Sequence, residues 1–400
     1  MSAMESIPKL DEMIAAPDDR DGILSCGVEL EFLVASIHYL AFDPDRDVEG
    51  QLLYETTEFS PIHYRPQVSL QLLETLMVLC DVIFYTMDQD VFEPPWGTVV
   101  DYTSWRVGND ASVSKDSLDG PYQWTDIELT SPVMSCTDYA EQINKICSAL
   151  KTVRIHLNQS TSVHVHVGRG DEPFSLLTIK KFATLYWLTE KAILELHHPC
   201  RRENHFCFSL NKFSELGTKT HADFNSDERF VDYEELKLMY RYVPMADLTH
   251  LQWRQLRRIW GCADMGEVAD LMKNARGAEL SQAASSRGSV GFRRFQPAGT
   301  GGGNIQTFEW RQMSGSLNAD HINQWVKVCV EFTDFCRLSD ETQFKEILEY
   351  IIERGADFTG IELLEILGAD TRIFKDMLEA WAQDPSFCND RTGSRLFVPK

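Results

Sequence analysis

The sequence predicts an α+β fold, and three observations lead there. Several segments alternate apolar with polar residues at the period of two that a half-buried strand requires. Between and after them, apolar residues recur at intervals of three and four, the spacing of an amphipathic helix. Apolar residues make up 43% of the 400 residues against 25% charged, enough to bury a core and too much for bulk disorder. That length fits one large or two ordinary domains.

Residues 1–22 hold no basic region followed by an apolar run, so they do not read as a secretory signal, and 1–21 are expected to be a flexible N-terminus. From Ser25 to Ala35 the chain reads SCGVELEFLVA: Val28, Leu30 and Phe32 face one way, and Glu29 and Glu31 the other. An acidic irregular stretch, 40–66, precedes a helical run over 68–87, and the Pro- and Gly-containing stretch 90–101 reads as a loop. Strands are expected at 104–107 and 126–131, the latter closed by Pro132, and then a helix capped by Thr137 or Asp138. In TSVHVHVG, Val163, Val165 and Val167 share one face, His164 and His166 the other, and Gly168 ends the strand. A long helix over 176–197 stops before Pro199 and delivers Arg201 and Arg202 just past its end. Residues 215–300 show helical pieces near 233–241 and 264–275 and a small, polar run at 280–291. AGTGGGN, 298–304, lacks the Gly-Lys-Ser/Thr ending of a phosphate loop and precedes a strand, so a flap or linker is the better reading. IQTFEWRQ, 305–312, is that strand, with Phe308 and Trp310 on one face and Thr307, Glu309 and Arg311 on the other. Helices follow from Leu317 and again over 341–383.

Aspartate and glutamate number 61 against 38 lysines and arginines, a net charge of −23 that repels phosphate backbones and anionic lipid surfaces. Nucleic-acid and membrane partners are therefore not expected. No stretch reaches the ~18–20 apolar residues of a membrane span. The ten cysteines are scattered without a CxxC pair and fit no zinc pattern, so free thiols in a reducing, cytoplasmic setting are expected.

Ionisable pairs at i and i+2 thus recur on strands: Glu29 with Glu31, His164 with His166, Glu309 with Arg311, and a lone Glu128 between Ile127 and Leu129. Taken singly, an ExE or HxH is usually the solvent side of an edge strand, and an ExR a salt bridge. Together they make a polar sheet face whose carboxylates repel unless cations occupy it. Hard oxygen donors with only two imidazoles favour magnesium over zinc.

GVELEF (27–32), WRVGNDASV (105–113), IELTSPV (127–133), TSVHVHVG (161–168), HHPCRRENHFC (197–207) and TFEWRQMSGSL (307–317) resemble, in that order, the motifs of the amidoligase family. Those carboxylate-amine ligases are similar to glutamine synthetase and glutamate-cysteine ligase, and the resemblance spans about residues 22–335. It implies a curved, mostly antiparallel sheet with helices on its outer face and a charged concave site, in a catalytic domain over 22–340; the amphipathic helices beyond lie outside the resemblance and are expected to form a helical extension over 341–400 packed on it. It implies ATP-dependent amide formation through an acyl phosphate, with small-molecule or peptide carboxylates and amines as substrates and ATP and Mg²⁺ as cofactors. Glu29, Glu31 and Glu128 match metal ligands, His164 the imidazole ligand, and Glu309 the last ligand. Arg311 would neutralise the phosphoryl group, and His166 would lie nearer the nucleotide phosphates. Asp110 matches a substrate-side acid, with an Asx turn as its other reading. Arg201 and Arg202 would bind ATP phosphates or a substrate carboxylate, unless they are plain helix C-terminal charges, and Asn204 and His205 are weaker matches.

Trp310 stands where the family more often has phenylalanine, and 215–300, the expected region of substrate selection, carries no alignable pattern. Helices beyond 340 could be a lid, a dimer surface or a cap, which leaves a homo-oligomer open. Two other readings remain: a metal-dependent hydrolase, which lacks a third histidine and gives Arg311 no task, and a non-catalytic binding protein, for which such costly charge clustering serves no purpose.

Overall fold

Alternation at period two and β-branched or aromatic residues on one face make Ser25–His38 the long first strand, β1. The computed structural model describes residues 19–45, 50–81, 84–86, 102–114, 121–202, 204, 206–226, 233–245, 248–275, 287–296 and 306–383. The expected loop at 90–101, the 298–304 flap, His205 and the first 18 residues lie outside them.

After β1 come β2 (Tyr54–Thr56), α1 (Pro61–Cys80), β3 (Phe84–Thr86), β4 (Trp105–Gly108), β5 (Gln123–Thr130) and β6 (Met134–Ser135). Then follow α2 (Tyr139–Leu150), β7 (Ile155–His156), β8 (Ser162–Gly168), α3 (Leu176–Glu195), a 3₁₀ turn at Pro199–Arg201, α4 (Leu210–Phe213) and α5 (His221–Ser226). The chain continues with α6 (Tyr233–Tyr242), α7 (His250–Trp260), α8 (Met265–Met272), β9 (Val290–Gly291) and β10 (Thr307–Ser314). It ends with α9 (Ala319–Leu338), α10 (Glu341–Arg354), α11 (Gly360–Ile366) and α12 (Arg372–Gln383). Among the described residues no helix is long and apolar enough to cross a membrane, and nine cysteines are free.

Two expectations change. The helix expected over 68–87 begins at Pro61, because proline suits a first helical turn, and it ends at Cys80, where Asp81 turns left-handed at φ 50°. Phe84–Thr86 is instead the short strand β3. Helix α7 was not expected, although Thr249 and Gln252 form a reciprocal capping box at its start.

The described residues fall into two units. The first, the sheet unit, draws on 25–165, 313–327 and 372–400. Its strands run in the order β3-β4-β5-β1-β8. β1 pairs antiparallel with β5, β6 and β7, and β4 does so with β5, whereas β1–β2 and β3–β4 are parallel. Beyond β4, two open carbonyls on β5 are closed by side chains: Tyr64 Oη donates to Trp124 O at 3.2 Å and Asn109 Nδ2 to Asp126 O at 2.5 Å.

The helical unit draws on 1–24, 166–312 and 328–371. Its centre is aromatic, with Phe182 of α3 stacked on Phe308 of β10 at 3.6 Å and Trp310 and Phe332 edge-on to Phe182. Trp310, the departure from the family pattern, fits this packed face without exposure. Two buried lysines on α3 are tolerated because each ammonium caps a helix end: Lys180 donates to Trp260 O at 2.6 Å and Lys181 to Ser339 O at 2.7 Å.

Candidate functional site

The β1–β5 register sets the site. Glu31 lies directly opposite Glu128, and Glu29 opposite Thr130, so three carboxylates share one face of two neighbouring strands. On the other side of β5, Gly108 is the partner of Glu128, and the turn after β4 brings in Asp110. Carboxylate oxygens of Glu31, Asp110 and Glu128 all lie within 4.8 Å of one another.

Glu31 is buried, while Asp110 and Glu128 are half-buried. Burial, reinforced by Glu29, Asp110 and Glu31, pushes the Glu128 carboxyl up to about 9, and Thr130 Oγ1, donating at 3.3 Å, opposes this only in part. At neutral pH and without a cation, this carboxyl holds its proton.

β8 adds a second group on the same unit. His164 Nδ1 sits 3.0 Å from Glu29 Oε2, and its Nε2 lies 2.8 Å from Ser162 Oγ and 3.5 Å from Glu31 Oε1. Ser162 Oγ donates to Glu31 Oε2 at 2.5 Å. Ser162 and Thr130 were not singled out in the sequence, yet both were legible: each stands two residues from a named site residue and so on its face.

Asp110 makes the Asx turn that its sequence allows and also lies on the acidic face. Its Oδ1 accepts from Ser112 N at 2.5 Å in an Asx turn, and its carboxylate still joins Glu31 and Glu128.

In the helical unit, Glu309 and Arg311 project from the half-buried face of β10 and form an ion pair. His166 Nδ1 lies 3.2 Å from Thr307 Oγ1 on that strand. The two expected arginines separate: Arg202 is exposed, whereas Arg201 is fully buried and its Nη2 donates to the Arg311 carbonyl at 2.7 Å. The Arg311 amide in turn donates to Ser289 O at 3.0 Å, so the backbone of Arg311 is held on both sides. Asn204 forms an Asx turn, its Oδ1 accepting from Phe206 N at 2.7 Å.

The donor set of the sheet unit fits a hard cation, since its three clustered groups are all carboxylates, and burial together with its acidic neighbours raises the proton affinity of Glu128. A family model described as "putative amidoligase enzyme" matches residues 23–232, more than half of the chain. No curated protein matches, and neither does any solved structure. The matched stretch contains Glu29, Glu31, Asp110, Glu128, Ser162 and His164, every residue of the acidic face just described. The chain therefore belongs to the amidoligase family, whose name denotes enzymes that form amide bonds.

Proposed function

We propose that this chain is an ATP-dependent carboxylate-amine ligase using Mg²⁺. In that reaction a substrate carboxylate oxygen attacks the γ-phosphorus of ATP, ADP leaves, and an acyl phosphate remains. An amine then attacks the acyl carbon, loses a proton and expels phosphate, leaving an amide. The observation that carries the reading is the Glu31, Asp110 and Glu128 cluster, with Glu128 driven to keep its proton.

In this reading those three side chains hold a magnesium ion, and Glu29 with His164 provides further donors beside them. Mg²⁺, when bound, supplies positive charge to phosphoryl oxygens. Ser162 orients Glu31 through its hydrogen bond, as ligand-supporting groups commonly do. The resemblance assigns Glu309 as a further metal ligand and Arg311 as the cation for the phosphoryl group in transfer, a role worth about 3 kcal/mol or more. It assigns His166, Arg202 and Asn204 to the nucleotide. Arg201 is buried against the Arg311 backbone, which supports a role in holding Arg311. The same resemblance supports a curved sheet like that of glutamine synthetase and a cytoplasmic enzyme acting on small-molecule or peptide substrates.

The test is ADP and phosphate release with Mg²⁺ and ATP across a panel of carboxylates and amines, comparing the wild type with Glu29→Gln and Arg311→Ala. The expected result is turnover that needs both substrates and falls at least a hundredfold in each variant. Absence of nucleotide binding at any Mg²⁺ concentration overturns the reading. Hydrolysis without ATP points to a metal-dependent hydrolase instead, and nucleotide binding without turnover to a binding protein.

A further inference from the structure

Among the described residues, the acidic face carries a cation, Arg106, that pairs with no carboxylate. Register places Arg106 on β4 opposite Thr130 on β5, which is itself opposite Glu29 on β1. The next row on the same face reads Gly108, Glu128, Glu31. Cross-strand partners point to one side of a sheet, so Arg106 stands on the carboxylate face, diagonal to Glu128 at about 7–8 Å between backbones. The β4 position directly beside Glu128 is Gly108 and bears no side chain.

Arg106 is half-buried, and among the described residues it makes no ion pair. Its guanidinium rests on the Tyr102 ring instead, 4.9 Å from the centroid. That contact holds the guanidinium beside the ring, and its planar fork of N–H donors is of the kind that matches a carboxylate in bidentate fashion. A salt bridge to Glu128 or Glu29 would have used those donors.

We propose that Arg106 binds a second carboxylate of the acid substrate while the reacting carboxylate lies at the Glu31, Asp110 and Glu128 cluster, so that the substrate is a dicarboxylic acid. The inference rests on the ligase reading and adds the substrate class to it. It also accounts for how so acidic a face accepts an anion: Arg106 holds one end and the metal the other. A monocarboxylic acid lacks the group that Arg106 would pair with, and loses a charge-assisted hydrogen bond.

Calorimetric titration of glutarate and of butyrate into the full chain, with Mg²⁺ and a non-hydrolysable ATP analogue present, tests it. The wild type should bind glutarate at least tenfold more tightly than butyrate, a factor that one charge-assisted pair supplies. Arg106→Leu should erase that ratio, and Arg106→Lys, which keeps the charge, should retain part of it. Equal binding of the two acids by the wild type overturns the proposal, even if the leucine variant does not fold. So does an Arg106→Leu protein that loses affinity for the ATP analogue while keeping its preference for glutarate, because the guanidinium would then serve phosphate. Failure of the ligase reading shows separately, as no ADP release with any acid and amine.

Discussion

Two glutamates in this chain, Glu190 buried and Glu128 half-buried, have opposite surroundings. Glu190, in the helical unit, accepts from Ser209 Oγ at 2.8 Å, Leu210 N at 2.5 Å, Asn211 N at 2.8 Å and Ser289 Oγ. Burial raises its proton affinity above the ordinary carboxylate value, and these four donors offset part of that rise. Glu128, in the sheet unit, has Glu29, Asp110 and Glu31 as its charged company and one weak donor in Thr130. A structural carboxylate is completed by the protein's own N–H and O–H groups. A carboxylate left among its own kind calls for a cation from outside, and that distinguishes a site from a brace.

The sharpest way to break the comparison is to remove each group. Glu190→Ala strands buried donors on a loop, a helix start and Ser289, and should lower unfolding free energy by about 3–5 kcal/mol. Chemical denaturation measures this, and a loss under 1 kcal/mol would show that Glu190 is no brace. Glu31→Gln should abolish Mg²⁺-dependent ATP turnover by at least a hundredfold while folding normally, read from initial rates and a thermal melt.

Glu128→Gln separates the two roles further. Glutamine is neutral without taking up a proton, which the Glu128 carboxyl must do on folding at pH 8, so the variant should raise the stability of the metal-free chain by about 1–2 kcal/mol while removing its Mg²⁺ response. A metal-free variant less stable than the wild type would place Glu128 with Glu190. Ser162→Ala, which deprives Glu31 of its donor, should have the smallest effect, weakening Mg²⁺ binding about tenfold in a calorimetric titration.

The faces of these strands were legible in the sequence because side-chain direction depends only on local alternation: Glu29 with Glu31 and His164 with His166 fell out at once. That Glu31 opposes Glu128, and that Arg106 stands diagonal to it, depends on pairing register between distant segments, which alternation does not fix. Glu190 drew no notice because it sits in an amphipathic helix that accounts for it as an ordinary charge; only the loop at 209–211, folding back onto it, reveals its function. Helix α1 starts before the periodic run at 68 because Pro61 suits its first turn, and the helix continues through Pro66.

Metal binding by the acidic face as a function of pH tests the central claim most directly. The Glu128 carboxyl titrates near 9 in the metal-free fold against an ordinary value of 4.5. The native chain therefore keeps, between those values, a proton that the unfolded chain has released, and metal-free stability falls as pH rises through that window. Magnesium must displace the same proton, so its affinity should climb by up to about tenfold per pH unit from 7 toward 9 and then level off. Calorimetric titration of Mg²⁺ into the wild type and Glu128→Gln should show that slope, with proton release, in the wild type alone. A pH-independent affinity, or equal binding by the variant, would contradict the account.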